Sequence, residues 1–227
     1  MCGFVGFASA KHSAEEAKKV VKQMADLIAH RGPDGEGFYV DDQVALGHRR
    51  LSIIDLEGGT QPMFNEDGSL VTVFNGEIYN FMELREQLEQ AGHIFSSHSD
   101  TEVLLHGYEE WGKELPAKLR GMFAFILWDK KNETLFGARD IFGIKPYYYY
   151  NEGGHFLFGS EIKSFLPHPG FVKELNEERL PEYLSIEYIP NEETMFKGVY
   201  KLPGAHMFTW KNGEMKVERY YLSLIHI

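Results

Sequence analysis

The chain has 227 residues, of which 43% are hydrophobic and 25% are charged, as in an ordinary globular protein. Its formal net charge of −11 argues against a nucleic-acid or anionic-membrane partner, because either would favour a basic surface. The only cysteine is Cys2, which excludes a framework of intrachain disulfides.

Targeting and metal-binding patterns are absent from the sequence. Gly3 and Gly6 interrupt the N-terminal apolar run, so we predict no signal peptide. No apolar stretch is long enough to span a bilayer, and the cytoplasm is the expected location. The histidines are scattered, without an HExxH or a paired CxxC pattern, so the sequence gives a metal site little support.

The first half of the chain predicts strands around one helix. Ser13 and Glu16 form a capping box that opens the helix, and apolar residues follow at helical spacing. A turn is expected at Arg31–Gly35. The predicted strands are Gly3–Ala8, Gly37–Val40, Val44–Arg50 and Leu70–Phe74, the last ending at Asn75-Gly76.

The second half predicts two helices and then a run of antiparallel strands. Asn80 is the expected cap of the first helix, and the second begins at Ser99–Glu102. The predicted elements after them are strands at Met122–Trp128, Thr134–Ala138, Pro146–Tyr150 and His155–Gly159, a short helix at Glu177–Ser185 and a hairpin across Lys211–Gly213. Strands flanked by paired helices predict a sheet-on-sheet core covered by helices.

Cys2 becomes the N-terminal residue if Met1 is removed. A thiol with an ordinary pKa of about 8.5 then lies beside an α-amine of about 7.7–8.0. An amine in that range is suited to act as a general base for its own side chain. The alternatives are a small buried residue that happens to be cysteine, or an acylation site.

Three further positions have the chemistry to accompany such a nucleophile. Asn75-Gly76 could supply a side-chain amide and a backbone N–H to an oxyanion, although Asn-Gly is also a strong hairpin signal. Arg50 suits a carboxylate, or a surface ion pair. Asp100 could hold an ammonium group, or simply favour the helix dipole. Together they describe a site for an α-amino acid with a side-chain amide.

The order of motifs strongly resembles class II glutamine amidotransferases. The segments that carry the resemblance are Met1-Cys2-Gly3, His30–Gly35, Arg50–Asp55, Gln61-Pro62-Met63, Asn75–Asn80, Ser99–Glu102, Arg139–Tyr147 and Phe158–Ser164. Among these families, the chain is most similar to the N-terminal glutaminase domain of glutamine-hydrolysing asparagine synthetases. The match covers roughly residues 1–221 in order.

The resemblance implies an α+β fold of the N-terminal-nucleophile hydrolase type, an αββα sandwich of two antiparallel sheets covered by helices. It also implies roles for individual residues. Cys2 would be the nucleophile, Asn75 and Gly76 the oxyanion hole, Arg50 the partner of the glutamine α-carboxylate and Asp100 that of its α-ammonium. The implied pocket comprises Leu51, Ser52, Ile53, Ile54 and Glu77. The reaction would be hydrolysis of L-glutamine through a glutamyl thioester.

The resemblance also bears on domains and partners. We expect a glutaminase domain at residues 1–210 and the start of a linker at 211–227, because the phosphate-binding motif of the family's synthetase domain does not occur. ATP and Mg²⁺ are expected only on that missing synthetase domain or subunit, which would deliver ammonia to aspartate. The alternative is a non-catalytic glutamine-binding or docking domain, or an inactive fragment that needs a synthetase partner.

Overall fold

Two six-stranded antiparallel sheets form the centre of the fold. The computed structural model describes residues 2–9, 13–52 and 59–223. In chain order the strands are β1 (Gly3–Ser9), β2 (Gly35–Val40), β3 (Val44–Arg50), β4 (Met63–Phe64), β5 (Leu70–Ile78), β6 (Gly121–Asp129), β7 (Thr134–Arg139), β8 (Tyr148–Glu152), β9 (His155–Gly159), β10 (Val199–Lys201), β11 (His206–Lys211) and β12 (Glu214–Arg219). The first sheet has the order β10-β8-β9-β1-β3-β2, and the second has the order β12-β11-β7-β6-β5-β4.

The central strands, such as β1, are apolar at successive positions because both of their faces are covered. In β1, Phe4 and Ala8 join the core between the sheets. The intervening Val5 and Phe7 join a second core on the opposite face. Side chains alternate across a strand, so a fully buried strand loses the polar positions that would mark an exposed face.

Helices cover the outer face of each sheet. They are α1 (Ala14–Asp26) on the first sheet, and α2 (Phe81–Gln90), α3 (Glu102–Trp111) and α4 (Leu115–Lys118) on the second, whereas α5 (Leu180–Ile186) has no buried residue. Val21 of α1 packs on the first sheet, and Leu88 of α2 packs on the second. Each is fully buried, which contributes about 1.5–3 kcal/mol relative to exposure. The predicted α+β sandwich, with the layers α, β, β and α, is therefore confirmed.

The capping box before α1 is confirmed, and Asn80 occupies the N-cap position of α2 without the expected side-chain hydrogen bond. Ser13 Oγ accepts from the Glu16 backbone nitrogen at 3.3 Å. Asn80 makes no side-chain cap. Its Oδ1 instead accepts from the Arg120 nitrogen at 2.9 Å, and its Nδ2 donates to the Lys118 oxygen at 3.0 Å. Through these two hydrogen bonds, Asn80 therefore stabilises the position of the segment before β6.

Strand β5 is longer than the sequence predicts. It continues through Asn75 and Gly76 to Ile78, and these residues pair with β6. The hairpin alternative for Asn75-Gly76 is therefore wrong. The apolar pattern stops at Phe74, but pairing with a partner strand far along the chain extends the ladder beyond it.

The predicted run of four strands divides between the sheets. β6 and β7 pair in the second sheet, whereas β8 and β9 pair in the first. The hairpin across Lys211–Gly213 joins β11 to β12 at the edge of the second sheet. The division at residue 210 stays a prediction. Among the residues described, every helix is too short or too polar to cross a membrane.

Candidate active site

Cys2 lies directly before β1, at one end of the layer between the sheets. Phe4 points into that layer, and alternation along extended chain indicates the same side for Cys2. The Leu51 backbone nitrogen donates to the Cys2 Sγ at 3.3 Å, and the Leu51 carbonyl oxygen lies 3.4 Å from it. The half-buried sulfur therefore faces an N–H donor that would stabilise a thiolate.

The turn before β2 is hydrogen-bonded both to Cys2 and to the chain at the end of β3. Arg31 Nε donates to the Cys2 carbonyl oxygen at 3.0 Å. The Asp34 nitrogen donates to the Arg50 carbonyl oxygen at 3.0 Å. Asp34 Oδ2 accepts from the Ser52 nitrogen at 2.9 Å. This turn thus holds Cys2 and the segment after β3 in one arrangement, which the sequence pattern alone did not reveal.

Asn75 carries a buried side-chain amide on β5. It lies opposite Ala124 of β6, on the same side of β5 as Val73, which points between the sheets. The side chain is 1% exposed, and within the described part of the chain its Nδ2 has no hydrogen-bond partner. An unpaired buried donor costs free energy, so its persistence is typical of a group that a ligand completes.

Gly76 follows Asn75 at a point of close backbone approach. A Cβ at this position would lie 2.3 Å from the Met122 carbonyl oxygen and 2.7 Å from the Phe123 Cα. Only glycine fits there without movement of β6. The close pairing therefore fixes the backbone next to the Asn75 amide.

Asp100 is a buried carboxylate directly before Thr101 and α3. It is 5% exposed, and its Oδ2 accepts from the Ile78 nitrogen at 3.0 Å. Burial, together with the nearby Glu77 carboxylate, raises the pKa of Asp100 to about 6, although the hydrogen bond from the Ile78 nitrogen acts in the opposite direction. A bound cation would favour the ionised form, so a raised carboxylate pKa in a cleft is typical of a functional site.

A cleft connects these groups. Its lining residues are Cys2, Arg50, Leu51, Gly59, Gln61, Phe74, Gly76, Glu77, Ser99, Asp100 and Thr101. Most of the predicted site residues therefore meet around one cavity. Ser52 and Asn75 are not in the lining, although both lie beside it in sequence. Ile53 and Ile54 lie outside the described residues, and the functional roles of all these residues stay predictions.

Gln61 is a cleft residue to which the sequence analysis assigned no role. Its Oε1 accepts from the Phe74 nitrogen at 2.6 Å, and its Nε2 donates to Thr101 Oγ1 at 3.3 Å. The side chain therefore bridges β5 and the start of α3. Its position within the Gln-Pro-Met motif was the available signal.

His48 joins the two sheets next to Asn75 and was also missed. It is fully buried on β3, and its Nε2 donates to the Phe74 carbonyl oxygen of β5 at 3.0 Å. Its Nδ1 has no partner among the residues described. Burial lowers the pKa of His48 to about 4, so the ring is neutral near pH 7.

Lys145 brings a buried positive charge close to the site. It is 4% exposed, and burial lowers its pKa, with repulsion from Arg31 acting in the same direction. Attraction to Cys2 and Glu77 opposes that shift. The sequence marked Lys145 only as part of a motif, because its proximity to Cys2 depends on tertiary packing.

The arrangement combines a nucleophile with separate groups for charge recognition. Cys2 directly precedes β1 of the first sheet, Asn75 lies on β5 of the second sheet, and Arg50 and Asp100 offer opposite charges at the cleft. Such a set can bind a zwitterion and stabilise an oxyanion during attack on a carbonyl carbon.

Comparison with known proteins identifies the family. The model of the glutamine amidotransferase domain matches residues 1–221. The chain belongs to the glutamine amidotransferase domain family. Asparagine synthetase [glutamine-hydrolyzing] 1 of Bacillus subtilis is 44% identical over 224 residues, which are 97% of this chain and 35% of that protein. A putative asparagine synthetase [glutamine-hydrolyzing] 2 of Methanocaldococcus jannaschii is 33% identical over 97% of this chain and 46% of its own length.

A solved structure supports the same fold. The glutamine phosphoribosylpyrophosphate amidotransferase of B. subtilis, complexed with ADP and GMP, has a TM-score of 0.72 at 21% identity. The alignment covers 98% of this chain and 50% of that one. The resemblance found in the sequence is thus confirmed at the level of family and fold. This amidotransferase domain spans 35% and 36% of the first two curated relatives.

We expect Asp100→Asn to stabilise the unliganded amidotransferase domain near pH 7.5. The folded pKa of about 6 exceeds the ordinary aspartate value of 3.8, so the group's stabilising contribution is full below about pH 4 and is lost as the pH rises through 6. The ionised carboxylate then costs up to about 3 kcal/mol, at about 1.4 kcal/mol per pKa unit. Asparagine keeps an acceptor for the Ile78 N–H and removes the charge.

Calorimetric melting of both proteins at pH 7.5 and pH 4 measures this effect. The melting temperature should rise by several degrees at pH 7.5, and the difference should shrink at pH 4. A variant that is less stable than the parent at pH 7.5 would show that the ionised Asp100 carboxylate does not destabilise the folded protein.

Proposed function

We propose that this chain hydrolyses the side-chain amide of L-glutamine to glutamate and ammonia. The observation that carries the proposal is that Cys2 shares one cleft with Gly76, next to the buried Asn75 amide, whose Nδ2 has no hydrogen-bond partner among the described residues. The relatives named as glutamine-hydrolysing support glutamine as the substrate.

Substrate recognition rests on charge complementarity. Arg50 binds the α-carboxylate, for which a guanidinium offers two parallel donors. Asp100 binds the α-ammonium, which compensates for the burial of its carboxylate. Leu51 and Glu77 line the pocket around the glutamine side chain. The scissile amide is thereby directed toward Cys2.

The reaction is an acyl transfer in two stages. The Cys2 α-amine takes the thiol proton, and Sγ forms a bond to the amide carbon while Asn75 and the Gly76 N–H stabilise the oxyanion. The C–N bond then breaks, and the leaving nitrogen takes the proton from the α-ammonium to depart as ammonia. Water attacks the thioester in the same way and releases glutamate and the free thiol.

The ammonia acceptor belongs to a separate domain or subunit. The asparagine synthetases to which this chain is similar are about three times its length, and this chain aligns with roughly a third of them. We propose that such a synthetase unit binds ATP, Mg²⁺ and aspartate, and that the hydrolytic step in this chain uses no cofactor. Glutamate and ammonia release, measured with and without that partner, tests the assignment. Glutamine binding without release would support the alternative of a non-catalytic docking domain.

A form of the protein that retains Met1 should be folded and inactive. The Cys2 nitrogen is then an amide, which cannot accept the thiol proton. Intact mass identifies the two forms, and glutamate release from each preparation gives the rates. The processed form is the control. Equal rates would show that some other group acts as the base.

A further inference from the structure

A group of histidine and glutamate side chains outside the cleft has the geometry of a metal site. His93 follows α2, and His106 and Glu109 lie one turn apart on α3. One ligand atom of each lies within 4.8 Å of the others. The His106 side chain is 1% exposed, the His93 side chain 18% and the Glu109 side chain 28%. These atoms meet where the loop after α2 packs against α3.

Both imidazole rings turn Nδ1 toward the Glu109 carboxylate. His106 Nδ1 lies 3.0 Å from Glu109 Oε2, and His93 Nδ1 lies 3.5 Å from the same oxygen. On the far side of each ring, His93 Nε2 faces Glu110 at 3.3 Å and His106 Nε2 faces Glu102 at 3.6 Å. Both rings thus have one carboxylate at each nitrogen.

The tautomer of each ring decides what faces Glu109. A neutral imidazole carries one N–H. With that hydrogen on Nδ1 the ring donates to Glu109, and with it on Nε2 the Nδ1 lone pair is directed at a Glu109 oxygen that can only accept. In the second tautomer a metal cation fits between the three atoms, because it attracts both Nδ1 lone pairs and the carboxylate oxygen.

The distances suit a tetrahedral ion. Zn²⁺ binds nitrogen and carboxylate oxygen at about 2.0–2.2 Å, which places neighbouring ligand atoms about 3.3–3.6 Å apart. The two histidine nitrogens lie 3.0 and 3.5 Å from the Glu109 oxygen, close to that range, and all three ligand atoms lie within 4.8 Å of one another. Imidazole nitrogens favour Zn²⁺ and similar ions over Mg²⁺ and Ca²⁺, which prefer all-oxygen sets.

The surrounding groups hold the three ligands in place. Asn65 Nδ2 donates to Glu109 Oε1 at 2.8 Å, which leaves Oε2 for the ion. Glu102 accepts hydrogen bonds from the backbone nitrogens and hydroxyls of Ser96 and Ser97 at 2.6–2.8 Å. A carboxylate behind a ligand histidine is the usual outer partner in metal sites, where it fixes the ring and its tautomer.

We propose that His93, His106 and Glu109 bind one divalent cation of the Zn²⁺ class, with water completing the coordination. The ion joins the end of the loop after α2 to α3, the helix that begins just after Asp100. This site takes no part in the proposed glutamine hydrolysis. It escaped sequence analysis because its histidines come from separate elements and lack a short-range pattern.

Zn²⁺ binding to the metal-free Cys2→Ala protein without an affinity tag tests the proposal. Removing the thiol excludes chelation by Cys2 and makes the result independent of hydrolysis. We expect about one Zn²⁺ per chain by calorimetry, a higher melting temperature with Zn²⁺, and the intense visible bands of four-coordinate Co²⁺. His93→Gln and Glu109→Gln should each weaken binding at least about a hundredfold, by analogy with losses at metal sites.

His206→Gln, which removes a histidine of β11, is the matched control and should bind Zn²⁺ as the parent does. Glu109 is partly exposed, so its glutamine variant should fold, and circular dichroism checks this. No binding by the Cys2→Ala protein, or the same affinity in both cluster variants as in the parent, would overturn the proposal. Either outcome would mean that hydrogen bonds to the neighbouring carboxylates hold the two rings without a metal ion.

Discussion

Cys2→Ala should abolish glutamine hydrolysis and leave the fold intact. The substitution removes the only thiol of the chain, and loss of a nucleophile lowers kcat on the order of 10⁴-fold or more. The folded structure loses little, because the half-buried sulfur contacts only the Leu51 backbone among the hydrogen-bond partners described. Glutamate release and the melting temperature of the same preparation measure both effects.

Cys2→Ser is the closest control for this experiment. A hydroxyl fills nearly the same space as the thiol, but it is a much poorer nucleophile when an amine is its only base. The serine variant should therefore bind glutamine normally and turn it over very slowly. An alanine variant that hydrolyses glutamine at the parent rate would remove Cys2 from the mechanism. The nucleophile expected from the family would then not be the one that acts in this chain.

Asn75→Ala should lower kcat by about a hundredfold or more with little change in KM. An oxyanion donor acts mainly as charge develops on the amide oxygen, and removing one such donor typically costs about 2.7–4 kcal/mol of transition-state stabilisation. Stability should change less, because the Asn75 Nδ2 makes no hydrogen bond to any described residue that the substitution could break. Steady-state kinetics and thermal melting on one preparation separate the two effects.

Thr72→Val, on the same strand, provides the opposite control. Thr72 Oγ1 donates to the Ile126 carbonyl oxygen at 2.8 Å in the buried ladder of β5 and β6. Its loss should reduce the free energy of unfolding by about 1–3 kcal/mol and leave kcat unchanged. If Asn75→Ala behaved like Thr72→Val, with lower stability and an unchanged kcat, Asn75 would be a structural residue and the oxyanion would need another donor.

Local sequence signals predicted the elements that are stabilised by contacts between residues close in sequence. The Ser13 capping box and the helical spacing after it define α1, because the hydrogen bonds of a helix and its cap lie within a few residues of one another. The Lys211–Gly213 turn predicts the hairpin of β11 and β12 for the same reason. The motif order headed by Cys2 was sufficient for the family, the fold class and most of the residues that line the cleft.

Tertiary structure alone decided what depends on distant pairing. Asn75-Gly76 has a strong turn signal, yet it lies inside β5 because β6, far along the chain, supplies the ladder. The bond from His48 to the Phe74 carbonyl joins two sheets whose alignment no single segment encodes. Likewise, His93 and His106 meet only because α2 and α3 pack together. Pairings of this kind depend on the burial of both partners. A local sequence pattern contains only one of the two partners, so it does not predict the pairing.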